Sequence, residues 1–306
     1  MDGSDRVTTE EAACCRLEDR ALIAVGGADS DDFLQGLVSN DVRRASATQA
    51  LWAAFLTPQG KYLHDFFLVR HEGRLLLETE AARLPDLLRR LKLYKLRSKV
   101  ELADLTGAWR VAAVWGPGAT ARFGLAEAPG SAAAAGAGVA FVDPRHAGLG
   151  LRLLLPEGEA PQGLTAGARS DWERLRIGLG LPDGSRDLEV EKATLLENGF
   201  DELQGVDWRK GCYMGQELTA RMKYRGLVKK RLVPVEMDGV FPDDAEAVEQ
   251  AGKQVGSLRS RAGGKALALI RLEALASGEP LTAAGRPLRV ALPGWMVLPQ
   301  PKAAAS

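Results

Sequence analysis

The chain has 306 residues, 46% hydrophobic and 26% charged, enough to bury a substantial core and to divide into more than one subdomain. Forty basic side chains cancel forty acidic ones, a balance that argues against broad electrostatic attachment to nucleic acid. Three cysteines make no disulfide framework, and no apolar run reaches the roughly 18 residues that suggest a membrane span.

Residues 1–19 read as a flexible polar tail in which Cys14-Cys15 is an incidental pair. The tail contains acids, lacks an apolar centre and is not Arg-rich, so neither a secretory signal nor a mitochondrial transit peptide is expected. Unpaired thiols suit a reducing compartment, and the expectation is a soluble cytoplasmic protein.

Ala21 to Val25 is a short apolar strand ending at Gly26-Gly27. Asp29 or Ser30 then caps a helix whose apolar face is Phe33, Leu34, Leu37 and Val38. Leu51 to Leu56 is a strand, Pro58-Gln59-Gly60 a turn, and Tyr62 to Val69 the returning strand. His71-Glu72-Gly73 turns the chain into Leu75 to Leu77, and Leu84, Leu87, Leu88 and Leu91 give helical spacing over about Ala81 to Leu96. Val111 to Trp115 and Leu149 to Leu155 read as strands, with a short helix near Ala119 to Phe123. Between them, Ala126 to Gly138 is unpatterned and reads as a surface loop. Ser170 to Gly180 is helical and stops before Pro182. From Arg231 onward, short strands separated by Gly and Pro predict a small β-barrel or sandwich. The division is therefore a tail over 1–19, an α/β lobe over 20–105, a second over 106–228, and a C-terminal β domain over 229–306.

The stretch with most chemistry is Lys210-Gly211-Cys212-Tyr213-Met214-Gly215-Gln216-Glu217. A cationic pair, Arg209-Lys210, precedes the cysteine, and helix-compatible residues follow it. Both settings favour thiolate over thiol, so Cys212 is a candidate reactive or metal-contacting sulfur. A buried, inert cysteine beneath a turn is the bland alternative. Gly211 and Gly215 free the backbone to turn tightly. Gln216 and Glu217 can meet the polar edges of a heterocycle, or simply stabilise the start of a helix. Arg221, Lys223, Arg225, Lys229, Lys230 and Arg231 form a basic run without an acid, either a solvated face or an anion site. A protein-held iron–sulfur cluster needs about four sulfur or nitrogen ligands. One motif cysteine and the scattered His64, His71 and His146 do not supply them, so no stable metal or cluster is expected, and Cys212 is at most a transient ligand.

The run Lys-Gly-Cys-Tyr-x-Gly-Gln-Glu, continued by Leu218 to Arg221 and Lys223 to Gly226, resembles the hallmark of the YgfZ-like folate-binding proteins. These are iron–sulfur cluster assembly and repair factors related in fold to the glycine-cleavage T protein, an aminomethyltransferase. Phe33 to Val42, Thr57 to Lys61 and Val255 to Ser257 are similar to the same family, in order. The resemblance implies an α+β, three-lobed aminomethyltransferase-like fold with a C-terminal β-barrel. It also implies tetrahydrofolate or a derivative as ligand, with Tyr62, Asp65, Lys210, Gly211, Tyr213, Gly215, Gln216, Glu217, Arg221, Lys223 and Arg225 near it and Cys212 as the essential residue. Two departures stand out. His64 replaces the first of the family's paired aspartates, Asp65 matching the second, and Gly178 falls where the T protein has a pterin-contacting glutamate.

The leading functional expectation is a folate-binding factor that builds or repairs iron–sulfur clusters on client enzymes. It is a maturation factor rather than a turnover enzyme, with clients or cluster carriers as partners and neither membrane nor nucleic acid among them. A tetrahydrofolate-dependent aminomethyl transferase is the alternative. A third reading, an RNA-binding or RNA-modification module, rests on the basic run alone.

Overall fold

The computed structural model describes residues 12–161 and 163–299. It begins with a strand, β1 (Ala13–Arg16), where the sequence predicts tail. Its partners lie about 100 and about 150 positions away, so nothing local announces it. Cys14 and Cys15 are half-buried in it, and burial raises both thiols, Cys15 to about 11. The pair is structural, and residues 1–11 of the expected tail lie outside the described residues.

The first lobe follows as β2 (Arg20–Gly26), β3 (Leu51–Leu56), β4 (Tyr62–His71), β5 (Arg74–Glu80) and β6 (Glu101–Asp104), in the order β3-β4-β5-β2-β6. Its central strands are buried on both faces, and the two-residue period assigns each side chain to one of two cores. Ile23, Phe55, Phe66 and Leu77 face helices α1 (Ser30–Gln35) and α2 (Leu84–Lys95), whose Phe33, Leu34, Leu87 and Leu91 cover that side. Leu22, Trp52, Tyr62 and Phe67 face the other way, toward the second lobe.

In the second lobe β7 (Trp109–Trp115), β8 (Ala132–Ala135), β9 (Gly138–Val142), β10 (Leu151–Pro156) and β11 (Thr165–Ala166) form one sheet with β1, ordered β11-β1-β7-β10-β9-β8. A short helix, α3 (Ala119–Arg122), covers its outer side. The alanine-rich segment is thus a hairpin, not a surface loop. Its small side chains carry no strand signal, yet they admit close backbone approach: a Cβ on Gly138 would lie 2.1 Å from the Leu154 carbonyl oxygen.

Where the lobes face each other the core is ionic as well as apolar. Arg20 and Arg152 both pair with Glu78, Arg152 and Arg145 with Asp143, and Arg20 also reaches Asp183, all buried. The Arg152 guanidinium lies 4.1 Å from the Phe67 ring centroid, and that of Arg145 4.9 Å from the same ring.

Helix α4 (Arg169–Gly178) joins this body to the last domain. There β12 (Lys230–Glu236), β13 (Ala247–Gln250), β14 (Lys253–Ala262), β15 (Lys265–Arg271), β16 (Leu281–Ala283) and β17 (Arg286–Val290) close into a barrel ordered β12-β15-β14-β13-β16-β17. Closure removes the exposed edges that such short strands would otherwise present. Ile177 packs on Leu232 and Leu267, and buried Asp187 accepts from the Ser260 amide at 2.9 Å. A Cβ on Gly178 would lie 3.2 Å from the Lys265 Nζ, so that position faces the barrel.

Candidate functional site: an exposed cysteine on a braced turn

Cys212 is exposed, on the turn that leads into helix α5 (Gln216–Arg225). Gly211 and Gly215 hold φ of 92° and 80°, a region open to glycine. Gly215 also lies against the β3–β4 hairpin tip, where an added Cβ would meet the Thr57 carbonyl oxygen at 2.4 Å. The Met214 amide donates to the Gly36 carbonyl at 3.1 Å, and the Tyr213 amide to Gln216 Oε1 at 3.1 Å. Buried Tyr213 is pushed up to about 12 by desolvation.

Lys210 does not turn toward the thiol. Its Nζ donates to the carbonyls of Gln35, Val38 and Asn40, using all three of its donors. Gln35 answers by donating to the Lys210 carbonyl at 3.3 Å and to Asp41 at 2.9 Å. Burial lowers Lys210 to about 8. The cation predicted to sit beside the sulfur is instead a brace tying the turn to the first lobe. The brace joins residues 175 positions apart, and neither residue alone reveals it.

The basic run is dispersed. Lys223 pairs with Asp201 at 2.8 Å and lies 4.3 Å from the Trp208 ring centroid. Arg221 is 3.9 Å from exposed Glu217. Arg231 is buried, donates to the Leu196 carbonyl and pairs with Glu202 at 3.0 Å. Arg225, Lys229 and Lys230 are exposed.

Tyr62 and Asp65 lie in the interlobe core, away from solvent. Asp65 Oδ1 accepts from the Tyr62 hydroxyl at 2.7 Å and Oδ2 from Trp52 Nε1 at 2.8 Å. Both carboxylate oxygens are occupied, so this pair does not fit as a folate contact in this geometry. His64 is buried beside Asp86, 3.0 Å from Nε2 to Oδ2, and desolvation lowers it to about 4. A cleft of about 570 Å³ opens between the lobes, its lining including Asp41, Asp201 and Asp207 as well as Arg44, Trp208 and Arg209. Arg44 pairs with Asp207 at 3.1 Å, and Arg209 on the rim is exposed. Of these, Arg209 stands out in the sequence for its charge, and Asp41 belongs to the run from Phe33 to Val42. Among the described residues, no group of three or more His, Cys, Asp or Glu side chains is placed to hold a metal ion.

Body, barrel and exposed motif cysteine together define a protein of the aminomethyltransferase-like fold class. Residues 6–134 match the family described as the GCVT N-terminal domain, and 229–298 that described as the CAF17 C-terminal beta-barrel domain. The glycine cleavage system aminomethyltransferase T from Bartonella henselae superposes with a TM-score of 0.75, over 95% of this chain and 87% of that one. At 17% identity, that likeness shows the fold alone.

The iron–sulfur cluster assembly factor IBA57, mitochondrial, of Homo sapiens is 35% identical over 293 residues, covering 88% of this chain and 80% of the relative. The IBA57 homolog of Mycosarcoma maydis is 36% identical over 232 residues, 71% of this chain, and the match spans about half, 55%, of that longer relative. The chain belongs to the IBA57 family. These relatives are named mitochondrial proteins, which overturns the cytoplasmic expectation. That expectation rested on the unpaired cysteines and on the composition of residues 1–19, of which 1–11 lie outside the described residues.

Proposed function

We propose that this chain is an iron–sulfur cluster assembly factor that works in mitochondria, as its relatives' names say of them. Cys212 supplies one thiolate to a cluster whose other ligands come from a second protein. The observation that carries this reading is the exposed cysteine on a turn that two positive-φ glycines permit and that Lys210 ties to the first lobe. A lone thiolate cannot close a cluster's ligand set, but a preorganised, accessible one can complete a set that a carrier or client brings. The motif's likeness to the YgfZ-like proteins fits the same use of the cysteine.

Reduced folate is the small ligand proposed for the interlobe cleft. When bound, it supplies a pterin ring able to carry one-carbon units. Exposed Arg209, with Arg44 beside it, would meet the carboxylates of the tail. Aminomethyl transfer is not favoured, because both Asp65 oxygens are enclosed by Trp52 and Tyr62.

The test is anaerobic cluster delivery to a purified apo-client, comparing wild type with Cys212→Ser. We expect delivery to be abolished in the variant with the fold intact, and the protein alone to be colourless. Delivery at the wild-type rate from Cys212→Ser would end this reading. Calorimetry with tetrahydrofolate checks the cleft separately: Arg209→Ala should weaken binding, and no heat at millimolar ligand would remove folate from the proposal.

A further inference from the structure

Cys212 stands at the head of a surface strip that leads along α5 to the barrel. On the helix, Glu217, Arg221, Tyr224 and Arg225 are exposed and share one face, by spacings of four, three and one. Tyr224 is 73% exposed, and Leu227 just beyond the helix is 38% exposed. The strip ends in a cleft of about 470 Å³ lined by Leu227, Val228, Lys229, Lys230, Arg271 and one acid, Glu273. Lys230 and Arg271 are direct cross-strand partners in the β12–β15 pairing. Like charges set opposite each other destabilise a sheet, and among the described residues no salt bridge joins either to an acid. Glu189 is the further acid that Lys230 attracts, behind Lys192 and Arg259.

Resting on the reading of Cys212 as a shared ligand, we propose that this strip is the docking surface for the protein that brings the remaining ligands, and that the docking face of that protein is acidic. Size points the same way. A stable interface covers about 800 Å² on each side, a patch about 30 Å across. The ten residues of α5 span about 15 Å, so a partner seated over Cys212 also covers Tyr224 and the cationic cleft. The partner's carboxylates relieve the Lys230–Arg271 repulsion, and its apolar side chains cover Tyr224 and Leu227. A nucleic acid would meet Tyr224 and cations but gain nothing from Leu227 and Val228. Three apolar side chains are also a small anchor for a lipid surface.

The test places a photo-crosslinking amino acid at Tyr224, at Leu227 and, as a control on the barrel, at 69%-exposed Val240, in the full chain in cells. Adducts are identified by mass spectrometry, and the captured protein is purified and titrated. We expect one protein with an acidic surface from both strip positions and none from position 240. Lys230→Glu with Arg271→Glu should weaken its binding about tenfold or more, and the two Gln substitutions less. Lys230→Glu alone puts an acid opposite Arg271, so the barrel should melt no lower while binding still falls. Adducts to RNA or lipid, no adduct, equal capture at 240, or affinity indifferent to charge reversal would each overturn the docking surface. Cys212→Ser separates the two claims. If cluster delivery survives it while charge-sensitive capture persists, the shared-ligand reading fails and the surface stands. If delivery is lost but capture was never seen, the surface alone fails.

Discussion

At Lys210 a charge prominent in the sequence turns out to act on backbone rather than on sulfur. Its ammonium satisfies three carbonyls that would otherwise be half-buried without donors. Lys210→Met keeps the stem and removes the donors, at a cost of about 1–3 kcal/mol. We expect faster hydrogen exchange at the Met214 amide, which spans the same junction, and slower cluster delivery from an otherwise folded protein. Unchanged exchange at Met214 would mean the brace does not hold the turn. His64 gives a second expectation. Burial sets its folded value at about 4 against 6.5 when free. Between those values the unfolded chain binds the additional proton, so stability rises with pH across the window and is lost as pH falls through it. The loss is at most about 3 kcal/mol. Urea midpoints at pH 7 and pH 5 should therefore converge in His64→Asn relative to wild type. Glu173, which burial would raise but Arg176 and Arg186 hold down at about 2, acts only below this comparison.

Among the elements, the β3–β4 hairpin and the Cys212 turn depend on each other. Gly60 and Gly215 both hold positive φ, and each would drive a Cβ into the other's neighbourhood, Gly60 to 2.6 Å from the Gly215 carbonyl oxygen. Gly215→Ala combines left-handed strain with a backbone clash, so we expect a loss of about 2 kcal/mol or more. Chemical denaturation measures that loss, and altered alkylation of Cys212 would report the displaced turn. Both glycines belong to runs legible in the sequence, Thr57 to Lys61 and Lys210 to Glu217. That they meet was not legible, because contact across 155 positions leaves no local pattern. The same reason hides β1 and the Gln35–Lys210 brace. By contrast, β2 to β5 and α2 were readable, since apolar spacing there alone decides which face is buried. The barrel texture was readable too, in strands punctuated by Gly and Pro, although the pattern left barrel and sandwich open and the family resemblance implied the barrel.

For the molecule as a whole, the contact between the lobes combines apolar packing with buried ion pairs, Arg152 of the second lobe reaching Glu78 of the first. Glu78 serves both Arg20 and Arg152 without solvent. Glu78→Gln would leave two guanidinium groups short of charge, and we expect it to cost about 3–5 kcal/mol by urea denaturation. Glu78→Gln unfolding at the wild-type midpoint would show that Asp143 and Asp183 suffice. The sequence offered these residues only as scattered charges, for ion pairing between distant segments has no period to detect. The strand β1 carries a further consequence. It precedes the first lobe along the chain yet completes the sheet of the second, between β7 and β11. The first lobe is therefore an insertion within the second. As the polypeptide leaves the ribosome, β1 waits for a partner roughly a hundred positions behind it, a loop whose closure is favourable only once the intervening lobe has collapsed. A defect in the first lobe's core is thus felt next door as a missing strand. The unpaired edge of β7 is then a template for another chain, and we expect misassembly to accompany unfolding when the first lobe's core is damaged.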